Sequence, residues 1–198
     1  MAEPYKIIGA VRSRTMRVLW MLEEIGVPYE HVAAAPRSDE VTRFNPAGKV
    51  PVLIADGVPI TDSVAIMTFL GDRHDALTHA PGTLDRARQD SLTHAIIDEF
   101  DAPLWMAARH SFVLPEEKRI PEIKDSLRWE FERAQDSFFP RMAEDGPYLM
   151  GEMLTIPDIL LAHCMGWAIN AKFPVTEPYR AHAMRMRELP SFERASNA

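Results

Sequence analysis

Apolar residues recur along this chain in two rhythms, and the change between them falls near residue 80. Before it, short extended segments alternate with helices. Tyr5-Lys-Ile-Ile-Gly9 predicts a strand. Thr15 to Ile25 predicts a helix, with Val18, Leu19, Leu22 and Ile25 at helical spacing, Gly26 ending it and Pro28 just beyond. Tyr29 to Ala33 predicts a second strand and Ser38 to Phe44 a short helix. Val52 to Ala55 and Val58 to Ile60 predict a hairpin around Asp56-Gly57, and Asp62 to about His74 a closing helix. The order is β-α-β followed by β-β-α, a mixed sheet with helices on both faces.

After the segment His79-Ala-Pro-Gly82, which reads as a linker, no strand signal remains. Leu84 to about Val113 predicts one long helix with a kink at Pro103. Pro115 and Pro121 punctuate the chain before a second long helix, Ile123 to Phe139. Thr155-Ile-Pro-Asp158 is a helix-start pattern, with Thr155 as N-cap and Asp158 at the position that closes a capping box. The run Ile159 to Trp167 is apolar on nearly every side and predicts a helix buried in a bundle. A final amphipathic helix is expected from about Glu177 to Glu188. The expectation is an α/β domain over residues 1–78 and an all-helical domain over 84–198.

The densest chemistry sits in Asn45-Pro-Ala-Gly-Lys-Val-Pro-Val-Leu53 and Ile60-Thr-Asp-Ser-Val-Ala-Ile66. In the first, Gly48 supplies a turn and Pro51 suits the first residue of a strand, because proline donates no N–H. An X-Pro bond is also the one inexpensive place for a cis peptide. A cis Val50–Pro51 bond is therefore expected, turning the backbone of Val50 outward to pair with an extended peptide. In the second, Asp62 and Ser63 open a helix, whose free N–H groups form an anion site. Together these supply backbone pairing for a peptide, N–H groups for a carboxylate and the Asp62 carboxylate for an amine. Taken singly, each motif is an ordinary turn or cap.

Both motifs in order, a hairpin apart, resemble the glutathione-binding half of the cytosolic glutathione transferases. The layout of a thioredoxin-like domain followed by a helical bundle resembles that family over nearly the whole chain, as does the Thr155-x-x-Asp158 buried helix. The resemblance implies that Val50 with Pro51 pairs with the cysteinyl backbone of glutathione. It also implies that Asp62 and Ser63 hold the γ-glutamyl end, with Lys49 near the glycine carboxylate. It implies too a hydroxyl at the start of the first helix that keeps the glutathione sulfur ionised. An ordinary thiol has a pKa of about 8.5, and one charge-assisted hydrogen bond is worth roughly 1.5–3 kcal/mol. One such bond lowers the pKa by on the order of one to two units.

The run Ser13-Arg-Thr-Met-Arg-Val-Leu-Trp20 is similar to a bacterial and fungal group of Ser-type transferases. Ser13 is the first candidate. Several Ser-type classes place their serine one residue earlier, where this chain has Arg12, so Arg12 stands as the alternative partner of the sulfur. Thr15 reads as the N-cap, and Tyr5 lies on the strand itself. Arg12, Arg14 and Arg17 read either as a solvated helix face or as an attraction for anionic glutathione. The second substrate, a small apolar electrophile, is expected between the domains against Trp105, Met106, Arg109, His110 and Phe112, which recur at helical spacing; plain core packing is the competing reading.

Composition narrows the alternatives. The chain has 198 residues, 46% hydrophobic, with net charge −7, which argues against a phosphate-tracking nucleic-acid binder. No run of 18 apolar residues marks a membrane span, and the N-terminal residues lack a signal-peptide pattern. The single cysteine, Cys164, excludes an intramolecular disulfide, fits a reducing, cytoplasmic compartment, and lies mid-helix in the most apolar run. Seven histidines show no metal-site spacing, so no metal is expected. The family also implies a two-fold homodimer and a detoxifying role. Competing readings are glutathione-dependent isomerisation, dehalogenation or peroxide reduction on the same thiolate, and a non-catalytic adaptor on the same fold.

Overall fold

Four short strands organise the first part of the chain in the computed structural model, which describes residues 4–198. The first three residues, where the expected N-terminal domain and the segment read for a leader begin, lie outside that range. The strands are β1 (Tyr5–Ile8), β2 (Tyr29–Val32), β3 (Val52–Ala55) and β4 (Val58–Thr61). The sheet order is β2-β1-β3-β4. β1 runs parallel to β2 and antiparallel to β3, with Ile8 opposite Val52 and Lys6 opposite Ile54. β3 and β4 form the expected hairpin. Asp56 and Gly57 both have positive φ, 51° and 76°, the turn whose twist matches paired strands.

Helix α1 (Met16–Ile25) and helix α3 (Ser63–His74) flank the sheet, with a single turn, α2 (Asp39–Thr42), in place of the longer helix expected over 38–44. α1 buries Val18, Leu19, Trp20, Met21 and Leu22, and α3 buries Ile66, Met67 and Leu70. Each such side chain contributes roughly 1.5–3 kcal/mol. α1 stops at Gly26, whose left-handed φ of 75° lets its N–H return to Leu22 O at 2.9 Å.

The helical unit spans Gly82–Met186. It opens with α4 (Leu84–Ala95), continues through 96–101 into α5 (Ala102–Ala108) and runs on to Val113. The expected kink at Pro103 takes the form of a wide turn. Pro103 has no N–H to give, and the N–H of Ala102 reaches back five residues to Ile97 O. α6 (Ile123–Phe138), α7 (Ile156–Asn170) and α8 (Glu177–Arg187) follow. Phe100, Phe131, Phe138 and Tyr179 pack ring on ring. Gln135, buried beside them, accepts from Thr176 N–H at 2.8 Å and donates to Pro174 O at 3.0 Å. α7 is buried nearly all round, as its unbroken apolar run predicts.

The chain end departs from the expectation. A further helix, α9 (Pro190–Ser196), follows α8, and residues 187–198 group with the first unit, not with the helices of 84–186. The cause lies in α1. Trp20 Nε1 donates to Ser191 Oγ at 3.2 Å, and its ring meets Phe192 edge-on at 4.8 Å. Arg194 Nε donates to Glu23 Oε2 at 2.6 Å. Among the described residues no helix is long and apolar enough to cross a membrane.

Candidate active site

The first unit gathers three chain segments around Gly9. Directly after β1, Gly9 takes φ +146°, which glycine adopts without strain. A Cβ there would collide with Thr15 Oγ1 and stand 2.9 Å from Val50 Cβ. The missing side chain therefore lets the start of α1 and the Val50–Pro51 segment close on one another. The Val50–Pro51 bond is cis, as expected. Among the described residues neither the N–H nor the C=O of Val50 has a backbone partner. Lys49 is exposed, and its carbonyl accepts from Asn45 Nδ2 at 2.9 Å.

At the start of α1 the roles of two hydroxyls exchange. Thr15 already has helical angles (φ −57°, ψ −35°), and its side chain caps nothing. Ser13 is extended (φ −143°, ψ −169°), and its Oγ accepts the N–H of Thr15 at 3.1 Å. Ser13 is the residue that caps α1. Its Oγ also lies 2.6 Å from Ala10 O and 2.9 Å from Thr15 Oγ1. Arg12 is exposed beside it.

Arg17 does not belong to a solvated helix face. It is fully buried, and its Nη1 donates to Ser63 Oγ at 3.4 Å, joining the start of α1 to the start of α3. The sequence carries no local signal for this, because an arginine in an amphipathic helix ordinarily reads as surface. Asp62 has φ 74° and caps α3 through Oδ1, which accepts from Val64 N–H at 2.9 Å and Ala65 N–H at 3.1 Å. That leaves Oδ2 free to accept. Ser63 is buried and, with its oxygen taking the Arg17 bond, keeps its hydroxyl proton and its N–H as donors. The two residues thus offer an acceptor for an ammonium group beside donors for a carboxylate.

Tyr5 lies away from this cluster. Its hydroxyl pairs with His74 Nε2 at 2.8 Å, at the opposite end of α3 from Ser63. A helix of that length spans about 18 Å, so Tyr5 is set aside as a partner for the sulfur. Burial pushes its phenol up, an effect opposed by the Arg73 guanidinium. Trp105 and Met106 lie on α5, with Arg109, His110 and Phe112 in the wide turn after it. The first four are half-buried; Phe112 is 71% exposed. His110 Nδ1 is occupied by the N–H of Ile120 at 3.0 Å. Cys164 is buried in α7, and the described residues contain no group of three or more His, Cys, Asp or Glu side chains able to hold a metal ion.

Residues 13–73, which carry Ser13, Arg17, Val50, Asp62 and Ser63, match the family model of the glutathione S-transferase N-terminal domain. Over these residues the chain is similar to the N-terminal domain of the glutathione S-transferases. It is 26% identical over 204 residues to a glutathione S-transferase of Triticum aestivum, covering 98% of this chain and 93% of that one. It is 41% identical over 63 residues to glutathione S-transferase 3 of Schizosaccharomyces pombe, an alignment that spans 29% of this chain and 26% of the relative. The fold superposes with a TM-score of 0.81 on a glutathione transferase of Phanerochaete chrysosporium solved with oxidised glutathione; identity is 22%, over 100% of this chain and 95% of that one.

Proposed function

We propose that this protein is a glutathione transferase that ionises the thiol of bound glutathione for attack on a small apolar electrophile. The observation that carries the reading is the convergence on one unit of a capping serine, an unpaired Val50 backbone and the Asp62-Ser63 helix start. Val50 pairs with the cysteinyl backbone beside Pro51. Ser63 donates to the γ-glutamyl carboxylate, and Asp62 Oδ2 accepts from its ammonium. Lys49 serves the glycine carboxylate. Ser13 donates its hydroxyl to the sulfur at the N-terminus of α1, where the helix dipole also favours negative charge; Arg12 is the alternative cation. The stripe Trp105, Met106, Arg109, His110 and Phe112 is the candidate surface for the electrophile. The protein acts as a homodimer in a reducing, cytoplasmic compartment.

The test is calorimetric binding of glutathione, followed by the ultraviolet thiolate band of the bound tripeptide and its conjugation to an aromatic chloride. Ser13→Ala should raise the bound thiol pKa by one to two units and slow conjugation near neutral pH about tenfold or more. Affinity should change less. Absence of glutathione binding would leave the fold as an interaction module. Loss of the thiolate band in Arg12→Ala but not in Ser13→Ala would transfer the role to the guanidinium.

A further inference from the structure

Resting on the assignment of Ser13 as donor to the sulfur, we infer that Thr15 is a positioning residue that fixes the oxygen of Ser13 and strengthens its proton as a donor. The argument is a count of protons and lone pairs. A serine hydroxyl has one proton and can accept twice. Ser13 Oγ has three neighbours: Ala10 O at 2.6 Å, Thr15 Oγ1 at 2.9 Å and Thr15 N at 3.1 Å. Ala10 O can only accept, so the Ser13 proton lies on that line. The proton between the two hydroxyls must then come from Thr15. Ser13 Oγ therefore accepts twice from one residue, through its N–H and its O–H, and donates once.

Among the described residues the Thr15 hydroxyl has no other partner. It is 0% exposed, so water does not reach it, and Ser13 Oγ is the one hydrogen-bond partner of its hydroxyl among the described residues. A buried hydroxyl without that bond would bear its full desolvation penalty. The contact is also held from the other side, because only a glycine at position 9 leaves room for Thr15 Oγ1. Two consequences follow for the chemistry. With both lone pairs of Ser13 occupied, the serine is unfit to take the thiol proton as a base and acts as a donor. And a hydroxyl that accepts from two donors is itself a stronger donor, by roughly 10–30% per bond. A thiolate on the open side of Ser13 competes with Ala10 O for the single proton, while the two bonds from Thr15 keep the oxygen in place.

The experiment is a pH titration of the thiolate band of saturating glutathione on the full chain. It compares wild type with Thr15→Val, Thr15→Ser, Ser13→Ala and the double variant Ser13→Ala/Thr15→Val. Thr15→Val keeps the shape and the backbone N–H and deletes only the hydroxyl. It should raise the bound thiol pKa by roughly half a unit, against one to two units for Ser13→Ala. Thr15→Ser should restore the wild-type value, and the double variant should match Ser13→Ala. If Thr15→Val does not fold, Thr15→Ala must show the same rise. A pKa unchanged in Thr15→Val while Ser13→Ala raises it overturns the Thr15 role and leaves the Ser13 assignment standing. Additive effects in the double variant overturn it too, since Thr15 would then act other than through Ser13. No effect of Ser13→Ala overturns both.

Discussion

Replacing Asp158 with alanine should destabilise the helical unit by about 3 kcal/mol at neutral pH. Asp158 is fully buried at the start of α7. Its Oδ1 accepts from Leu149 N–H at 2.7 Å, and its Oδ2 accepts from Thr155 N–H at 2.9 Å and Thr155 Oγ1 at 2.8 Å. Alanine leaves these three donors unpaired in the interior, at about 1–3 kcal/mol each. An opposing effect reduces the net. Burial pushes the Asp158 carboxyl up to about 6, against the bonds from Leu149 and Thr155. Removing a carboxylate so disfavoured offsets part of that loss above that pH. The net loss is about 3 kcal/mol, at the low end of the cost of three unpaired donors. Urea unfolding at neutral pH measures it, with the slope unchanged if the native fold persists. Hydrogen exchange should speed up first at the Leu149 and Thr155 amides. A loss below about 1 kcal/mol, or exchange at those amides as slow as in wild type, would refute the count of donors.

The remaining expectations concern pH and the γ-glutamyl end. His182, buried 3.8 Å from Asp158 Oδ1, is pushed down by burial to about 4, despite its contact with the Asp158 backbone carbonyl and with Arg185 opposing protonation. Between about 4 and 6.5 the unfolded chain binds a proton that folded His182 refuses, so this stability is lost as pH falls through that window. Asp158 has the opposite sign, because folded Asp158 holds a proton between 3.8 and about 6 that the unfolded chain has released. The two nearly cancel, so His182→Gln should expose the Asp158 slope. Urea midpoints should show the stability of the variant, relative to wild type, rising by about 2 kcal/mol between pH 6 and pH 4; a difference from wild type that is the same at both pH values would sink this. Asp62→Asn keeps an Oδ1 for Val64 and Ala65 while removing the charge, so the melting temperature should hold while glutathione affinity drops about tenfold or more. Unchanged affinity by calorimetry would remove Asp62 from the binding site.

How much of this was legible in the sequence depends on whether a residue's role is local. Gly26, Asp56-Gly57, Asp62 and the Val50–Pro51 bond act through backbone angles that neighbouring residues announce, and each stands where its pattern predicts. The same local logic left the cap of α1 two residues out. Ser13 and Thr15 are both able caps; Thr15 is buried beside Gly9, and Ser13 is left at the helix end. Arg17 was hidden for a different reason. Its buried guanidinium reaches a serine 46 positions away, and nothing in the spacing around it separates a buried guanidinium from a solvated one. α9 went unread because seven residues opening on Pro190 carry too little periodicity; what fixes them is Trp20 and Glu23 on α1. Motifs therefore located the unpaired backbone of Val50 and the acidic helix start at Asp62. The long-range contacts decide which hydroxyl stands at the start of α1 and what stands behind it, and those are the features that variants of Ser13, Thr15 and Asp62 probe.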